Sequence, residues 1–432
     1  MADGARFDPP AKVVIVGQGY VGLPLAMRAV EVGFDVVGLD VDDARIKRLE
    51  SGESYIEDVS DEELAAALGS GRFKPLSDPT ELEPFDIAVI SVPTPLSEGN
   101  PDLTYIESAG LSIAHALRPG ATVILESTTY PGTTEELLAP LLEESSGLVA
   151  GEPGGFFLGY SPERIDPGNK QWTLVTTPKV VSGVNPESLA AVKGFFDHIV
   201  DTTVPVSTPK EAELTKLLEN TFRHVNVVLV NEMAMFAHDL GIDVWEAIDA
   251  ASTKPFGYMK FTPGPGVGGH CLPIDPSYLS WQVRRRLGRS FRFVELANDV
   301  NDHMPDYVVQ RIQAALNRES KSLKGSRVLL LGLAYKPNTG DARESPAVAV
   351  AERLMRFGAE VRAADPHVVE EGRIDPRIMR VKPSVAELKA ADAVVLLVDH
   401  DDVTNRIELI AKHANFVLDC RNVMLSGRSE RL

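Results

Sequence analysis

The stretch KVVIVGQGYVGLPLAMRAVEVGFDVVGLD, residues 12–40, decides the fold. The apolar run at 13–16 reads as a strand, the glycine turn after it opens a helical stretch, and Gly33 precedes a second strand at 34–39. That is a β-α-β unit. Gly17-Gln18-Gly19-Tyr20-Val21-Gly22 matches G-x-G-x-x-G, and Asp40 ends the next strand 18 residues after Gly22. Glycines in that pattern allow a tight turn and close approach of a pyrophosphate, while an acid at the second strand's end accepts hydrogen bonds from ribose hydroxyls. Gly17, Gly19, Tyr20, Val21, Gly22 and Asp40 are therefore candidates to bind a dinucleotide. The acid favours NAD over NADP, because a 2'-phosphate would meet its negative charge.

Working outward, apolar strand candidates follow at 87–92, 122–125 and 156–160, which argues for a mostly parallel, doubly wound sheet. Residues 210–240 contain no Gly or Pro and end at Gly241, as expected of a helix ~45 Å long with a glycine cap. Its apolar positions Leu214, Leu217, Leu218, Phe222, Val225, Val228 and Leu229 form a broad stripe suited to burial. A helix of that length commonly links domains or packs against a partner subunit. The third region repeats the first: a strand at 327–331, Gly332, a helix ending at Gly358, and a strand at 360–364 closed by Asp365. Strands at 393–398 and 416–418 complete it. In place of three glycines it carries Gly332-Leu333-Ala334-Tyr335-Lys336-Pro337, so two different nucleotide ligands are expected. The predicted fold class is α/β, with two Rossmann-like doubly wound parallel-sheet domains (1–205 and 318–432) joined by a helical central domain (206–305).

Composition narrows the function. Hydrophobic residues make up 44% and charged ones 24% of the 432, as in ordinary globular proteins. A formal charge of -19 repels nucleic acid and anionic membrane surfaces. No apolar run approaches the ~18 to 20 residues that span a bilayer, and the N-terminus lacks the pattern of a secretory signal. A cytoplasmic protein is expected. Two cysteines, Cys271 and Cys420, make neither a disulfide framework nor a four-thiolate metal site.

Cys271 lies in TPGPGVGGHCLPID, residues 262–275, too rich in Gly and Pro for a helix or a regular strand. Backbone lying close to a ligand is the better reading of such a loop. Cys271 is then a candidate nucleophile, with His270 a base for the thiol or a packing residue. Cys420 ends a strand and reads as a small buried hydrophobe. Lys216 and Asn220 stand at i and i+4 and so share one helix face. Asp275, Glu163 in 161–164 and Thr128 in 126–129 are ambiguous when taken singly.

Taken together, GQGYVGLPLA (17–26), SVPTP (91–95), SPERIDPGN (161–169), AELTKLLENTFR (212–223), PGPGVGGHCLPIDP (263–276) and GLAYKPNTGDARESPA (332–347) cover nearly the whole chain. In these six ordered motifs it resembles the nucleotide-sugar 6-dehydrogenases, the family of UDP-glucose, UDP-N-acetylglucosamine and UDP-N-acetylmannosamine dehydrogenases. The resemblance implies Cys271 as nucleophile, with Lys216, Asn220 and Asp275 around the reacting carbon and Thr128 and Glu163 assisting water activation. It implies NAD contacts from Asp40, Arg45, Thr94, Thr128 and Arg343. It also implies that Lys336 and Arg421, with Glu163, Arg164, Lys216, Asn220, Gly264 and Gly268, hold a UDP-sugar, and that Lys254 serves the neighbouring subunit of a homodimer. Ile274 and Pro167 depart from glucose-type members, which often carry Lys and Glu there. SPER-x-DPGN, the His before the cysteine and Thr253-Lys254-Pro255-Phe256-Gly257 look most like the UDP-N-acetylglucosamine branch, and polysaccharide biosynthesis is the implied setting.

That chemistry explains the residue types. Taking a primary alcohol to a carboxylate removes four electrons, and an aldehyde yields its second hydride only after a nucleophile has added to it. A thiolate gives a thiohemiacetal and then a thioester that water hydrolyses. An ordinary thiol, with pKa ~8.5, is a few per cent ionised at pH 7, so positive charge nearby helps, and Lys216 carries one. A two-electron hydroxyacid dehydrogenase would need the glycines and a lysine but no cysteine. A catalytically silent nucleotide-binding regulator would leave the loop around Cys271 without a purpose.

Overall fold

The computed structural model describes residues 8–56, 58–97, 99–165, 169, 171–269, 272, 274–369, 374–424 and 429–432. The chain divides into two compact units, Met1–Glu219 with Ser277–Arg285, and Asn220–Pro276 with Arg286–Leu432.

The strands of the first unit are, in chain order, β1 (Lys12–Val16), β2 (Asp35–Leu39), β3 (Phe73–Leu76), β4 (Ile87–Ile90), the short antiparallel pair β5 (Leu96–Ser97) and β6 (Asn100–Pro101), β7 (Thr122–Leu125), β8 (Phe157–Tyr160), and the parallel pair β9 (Lys179–Val181) and β10 (Thr203–Pro205). Its helices are α1 (Gly22–Glu31), α2 (Asp43–Glu50), α3 (Asp61–Gly69), α4 (Thr104–Ala114), α5 (Ala139–Ser146) and α6 (Pro186–Ile199). Among the described residues six strands form one parallel sheet in the order β3-β2-β1-β4-β7-β8, the doubly wound arrangement. β1 is buried on both faces, as a central parallel strand must be. Val13 and Ile15 pack with α1 and α6, whereas Val14 and Val16 pack with α4 and α5. β3 carries Lys74 and Pro75 and escapes an apolar pattern search; a proline is tolerated there because β3 is an edge strand. Asp42, Ser60 and Asn185 cap α2, α3 and α6 with their side chains, each satisfying a backbone N–H that the helix leaves unpaired.

α7 (Pro209–Asp239) is the long helix expected from the sequence, followed by Gly241 at φ 70°. Its apolar positions do not form one buried stripe. Leu217 and Val228 are buried, but Leu214, Leu218, Phe222 and Leu229 are 42–64% exposed, as are Met233 and Phe236. Glu213 is fully buried and acts as a clamp: its carboxylate accepts from Gly132 N (2.5 Å), Thr134 N (2.9 Å) and Thr134 Oγ1 (2.7 Å) at the start of the π-helical turn Thr134–Leu138. Burial pushes that carboxyl up to about 7, against the lowering effect of the three donors.

The second unit adds α8 (Val244–Ser252), the first residues of α9 (Asp275–Leu287), and α10 (Arg292–Arg318). Its strands β11 (Arg327–Leu331), β12 (Glu360–Ala364), β13 (Met379–Arg380), β14 (Ala393–Leu396), β15 (Val417–Asp419) and β16 (Ser429–Arg431) pair in parallel in the order β13-β12-β11-β14-β15-β16. The order repeats that of the first sheet. Val328 and Leu330 of β11 pack with α10 and with α11 (Pro346–Arg356), while Leu329 and Leu331 face the opposite layer. Cys420, just past β15, is completely buried, and burial pushes its thiol up to about 12. It is a packing residue.

Candidate active site

Gly17 follows β1 with φ 93°, and a Cβ there would lie 2.7 Å from the Ser91 carbonyl oxygen beyond β4. At Gly22 a Cβ would fall 1.8 Å from the Gly17 carbonyl oxygen, so only glycine lets α1 start this close to the turn. Gly19, between them, faces open space. No side chain caps α1, the arrangement that suits an anion at a helix start, although Leu23 N is taken by the Gly19 carbonyl. Tyr20 is exposed and Val21 half-buried beside it. Asp40, buried, accepts from Gln18 N (2.8 Å) and Asp42 N (3.0 Å), with the Arg45 guanidinium 3.5 Å away. The Tyr55 hydroxyl donates to the Gln18 carbonyl at 2.6 Å and fixes the turn from the other side. These residues fit a dinucleotide: a clear approach at Gly19, an uncapped helix and an acid at the end of β2. Thr94, whose carbonyl accepts from the Tyr278 hydroxyl, is buried past β4, and Thr128 is half-buried past β7.

Lys216 is buried, not solvated as its spacing alone would suggest, and its ammonium donates to the backbone carbonyl of Glu163. The Glu163 carboxylate accepts from Ile165 N and lies 3.6 Å from the ammonium of Lys179. Lys179 in turn forms a buried ion pair with Glu126, the first residue after β7. Arg164 grips Glu219 of α7 (2.6 and 3.3 Å) and the Pro178 carbonyl (2.5 Å), tying its segment to α7 and to the start of β9.

In the second unit the Asn220 side-chain amide donates to Asp275 Oδ2 at 2.5 Å, both residues being buried. His224, one turn further along α7, meets Asn298 at 3.0 Å, and burial depresses its basicity. Cys271 and His270 lie outside the described residues. The loop before them is pinned by the chain itself. Asn231 accepts from Gly264 N (2.8 Å), Asn301 brackets Val267, and a Cβ on Gly268 would strike Pro346 Cδ at 2.4 Å and the Glu344 carbonyl at 2.7 Å. The space in front of Gly264 holds the Arg421 guanidinium, so those two candidates come together. The glycines thus serve close packing of this loop on the C-terminal sheet's loops. Arg421 also donates to the Leu397 carbonyl (2.8 Å), Lys336 lies over the Tyr335 ring, Arg343 forks onto Asp341, and Lys254 is exposed beside Phe256.

The second sheet copies the first turn atom for atom and then departs from it. Asp365 Oδ2 accepts from Leu333 N as Asp40 Oδ2 does from Gln18 N, but it also takes Ala334 N and the ring of buried His400. Its other oxygen is spent on His367 N and Val368 N. Despite burial, these partners hold its carboxyl below the ordinary range. The helix after Gly332 begins only at Pro346, with Ser345 as cap, so no uncapped helix end opens under this turn.

The sequence reading passed over Glu126, Lys179 and Glu213. A lysine before a short apolar run looks like a solvated strand end, and nothing local reveals that two glutamates enclose it.

Sheet order, glycine turn and acid define a dinucleotide-binding α/β protein. Family models for the UDP-glucose/GDP-mannose dehydrogenase family match along the chain: the NAD binding domain at 11–200, the central domain at 210–303 and the UDP binding domain at 329–426. A UDP-N-acetyl-D-mannosamine dehydrogenase of Pyrococcus horikoshii is 36% identical over 417 residues, covering 96% of each chain. A UDP-N-acetyl-D-glucosamine 6-dehydrogenase of Pseudomonas aeruginosa is 37% identical over 429 residues, covering 97% of this chain and 98% of the relative. The solved UDP-D-ManNAc dehydrogenase structure from Pyrococcus horikoshii superposes with a TM-score of 0.87 at 33% identity, over 97% of this chain and 98% of that one. The chain belongs to the UDP-glucose/GDP-mannose dehydrogenase family. It is an NAD-dependent oxidoreductase, and NAD is its cofactor. Among the described residues no helix is long and apolar enough to cross a membrane.

Proposed function

We propose that the protein oxidises the C6 alcohol of a UDP-hexose to the uronate, with UDP-N-acetylglucosamine as substrate. The observation that carries this reading is the burial of Lys216 and Asn220 one turn apart on α7, the first fixed to Glu163 and the second to Asp275. A lysine and an asparagine are costly to bury without a task, and Asp275 lies four residues beyond the cysteine. NAD, when bound at the glycine turn, accepts a hydride in each of the two oxidations. The Cys271 thiolate adds to the aldehyde carbon, and Lys216 and Asn220 stabilise the oxyanion that forms. In the last step water adds to the thioester carbonyl, its proton passes to the Glu163 carboxylate, the C–S bond breaks and Cys271 leaves as thiolate. Lys336 and Arg421 hold the nucleotide part of the substrate in the 318–432 domain, and Arg343 is a cofactor residue on the strength of the family resemblance.

The choice of hexose rests on SPER-x-DPGN, His270 and the 253–257 segment, and on the similarity to the Pseudomonas aeruginosa relative. UDP-N-acetylmannosamine is the second reading, favoured by the name of the Pyrococcus horikoshii relative. A homodimer through α7 follows from the exposed row Leu214, Leu218, Phe222, Leu229, Met233 and Phe236, whose spacing places them on one face and whose apolar surface a second copy would bury. Lys254 would then serve the partner's site. A cytoplasmic setting, where NAD and UDP-sugars are present, completes the reading.

The decisive assay incubates the purified protein with NAD and a panel of UDP-sugars and counts NADH formed per sugar consumed. Two NADH and a uronate from UDP-N-acetylglucosamine are expected; one NADH per sugar would indicate a two-electron dehydrogenase, and no absorbance gain at 340 nm a binding protein.

A further inference from the structure

Three charged side chains from three segments of the first unit meet in its interior. Glu126 stands at the end of β7, Lys179 opens β9, and Glu163 lies in the loop after β8; their side chains are 1%, 4% and 12% exposed. The Lys179 ammonium pairs with Glu126 Oε1, lies 3.6 Å from Glu163 Oε2 and sits 5.0 Å from the Phe196 ring of α6. Around them, Lys216 of α7 engages the Glu163 carbonyl, and Arg164 is committed to Glu219 and Pro178. Two carboxyls therefore share one ammonium. A structural ion pair would need only one of them, and Glu126 Oε2 is buried with no hydrogen-bond partner among the described residues.

We propose that Lys179 is a positioning residue for the hydrolytic step: its ammonium, paired with Glu126, holds the Glu163 carboxylate in place for the attacking water. This rests on the reading that Glu163 accepts the proton of the attacking water. Two carboxylates around one buried cation carry a surplus negative charge, which the interior resists by leaving one protonated. Burial raises the affinity of Glu126 for that proton despite Lys179 beside it, and the two glutamates together outweigh burial to keep Lys179 charged. Glu163, the most exposed of the three, is then the one free to act as a base. The sequence order of events requires nothing new: water's proton goes to Glu163, its oxygen bonds the thioester carbon and the thiolate leaves.

The test compares full-length Lys179→Met, Lys179→Arg, Glu126→Gln and Glu163→Gln in single-turnover and steady-state assays with NAD and the UDP-sugar. Lys179→Met is expected to lower steady-state turnover by about 10- to 100-fold while the first-turnover burst of NADH and UDP-sugar affinity change by less than about 3-fold, with Lys179→Arg recovering most of the loss. The acid limb of turnover against pH should move in opposite directions, upward in Lys179→Met, where the cation between the two carboxyls is gone, and downward in Glu126→Gln, where one of those carboxyls is gone. A purely structural cluster would lower melting temperature without these opposed shifts. If Lys179→Met fails to fold, the downward shift in Glu126→Gln against an unmoved limb in Lys179→Arg decides. Unmoved acid limbs, or limbs moving together, overturn the proposal. Wild-type hydrolysis in Glu163→Gln would instead overturn the reading beneath it.

Discussion

The side-chain amide of Asn220, on the long helix, donates at 2.5 Å to the carboxylate of Asp275, the first residue of the helix that follows the glycine loop. Both are buried, so the bond ties the C-terminal end of the glycine loop to the long helix. Removing the amide alone strands part of a buried carboxylate, which costs more than removing both partners. Asn220→Ala is therefore expected to lower kcat at least ~10-fold, Asp275→Ala similarly, and the double variant clearly less than the product of the two. A double-mutant cycle on kcat and on melting temperature checks this; strict additivity would show the two side chains act independently.

Cys271→Ser should abolish uronate formation by several orders of magnitude while UDP-sugar and NAD still bind, because the aldehyde then has no thiol to form a thioester. Rapid-quench analysis with binding measured by calorimetry decides it. A serine variant that makes uronate at the wild-type rate would remove the thiol from the mechanism.

Lys216→Ala is expected to reduce turnover more than substrate affinity if, as proposed, its ammonium stabilises the oxyanion, an interaction made mainly in the transition state. The measurement is kcat and KM under saturating NAD. A rise in KM at constant kcat would make Lys216 a binding residue only.

Glu213 gives stability a pH dependence. Its folded-state carboxyl is raised from 4.5 to about 7, so its favourable contribution is complete below about 4.5 and is lost as pH climbs through about 7. Glu213→Gln cannot ionise and keeps one acceptor oxygen, enough for Thr134 or for Gly132 but not for both, so its stability is lower at every pH but flat across the range. Between about pH 5 and 8 the wild type should lose stability relative to this variant, by an amount of order 3 kcal/mol at most. Thermal unfolding of both proteins across that range reads the difference directly; parallel curves would refute it.

The exposed row on α7 predicts its own partner. Leu218→Glu or Met233→Glu should convert a dimer to monomer, read by sedimentation or light scattering, with the isolated monomer keeping its helical signal. An unchanged mass would place the subunit contact elsewhere.

How far the sequence revealed all this follows the physics of each feature. The glycine turn, Asp40 and the central strands were legible because backbone approach and double-sided burial leave short, local signatures. β3 was not, since an edge strand tolerates Lys74 and Pro75. The α7 positions read as a broad stripe suited to burial, yet most are exposed, because periodicity marks apolar residues without saying whether their cover is the same chain or another. Lys216 and Asn220 were visible as neighbours, but their burial was not, and Glu126 with Lys179 stayed hidden because the contact joins residues 53 apart. The resemblance to a known family supplied the roles that spacing alone left open.

The fate of Asp365 bears on how freely such a duplicated fold can change its ligand. Its oxygens are committed to loop amides and to His400, and the helix behind Gly332 is delayed by the chain from Leu333 to Ser345. Restoring glycines there would leave a coenzyme with no acid to grip and no helix tip to lean on. Conversion of this half into a second coenzyme pocket would require both shortening the intervening loop and releasing Asp365 from His400.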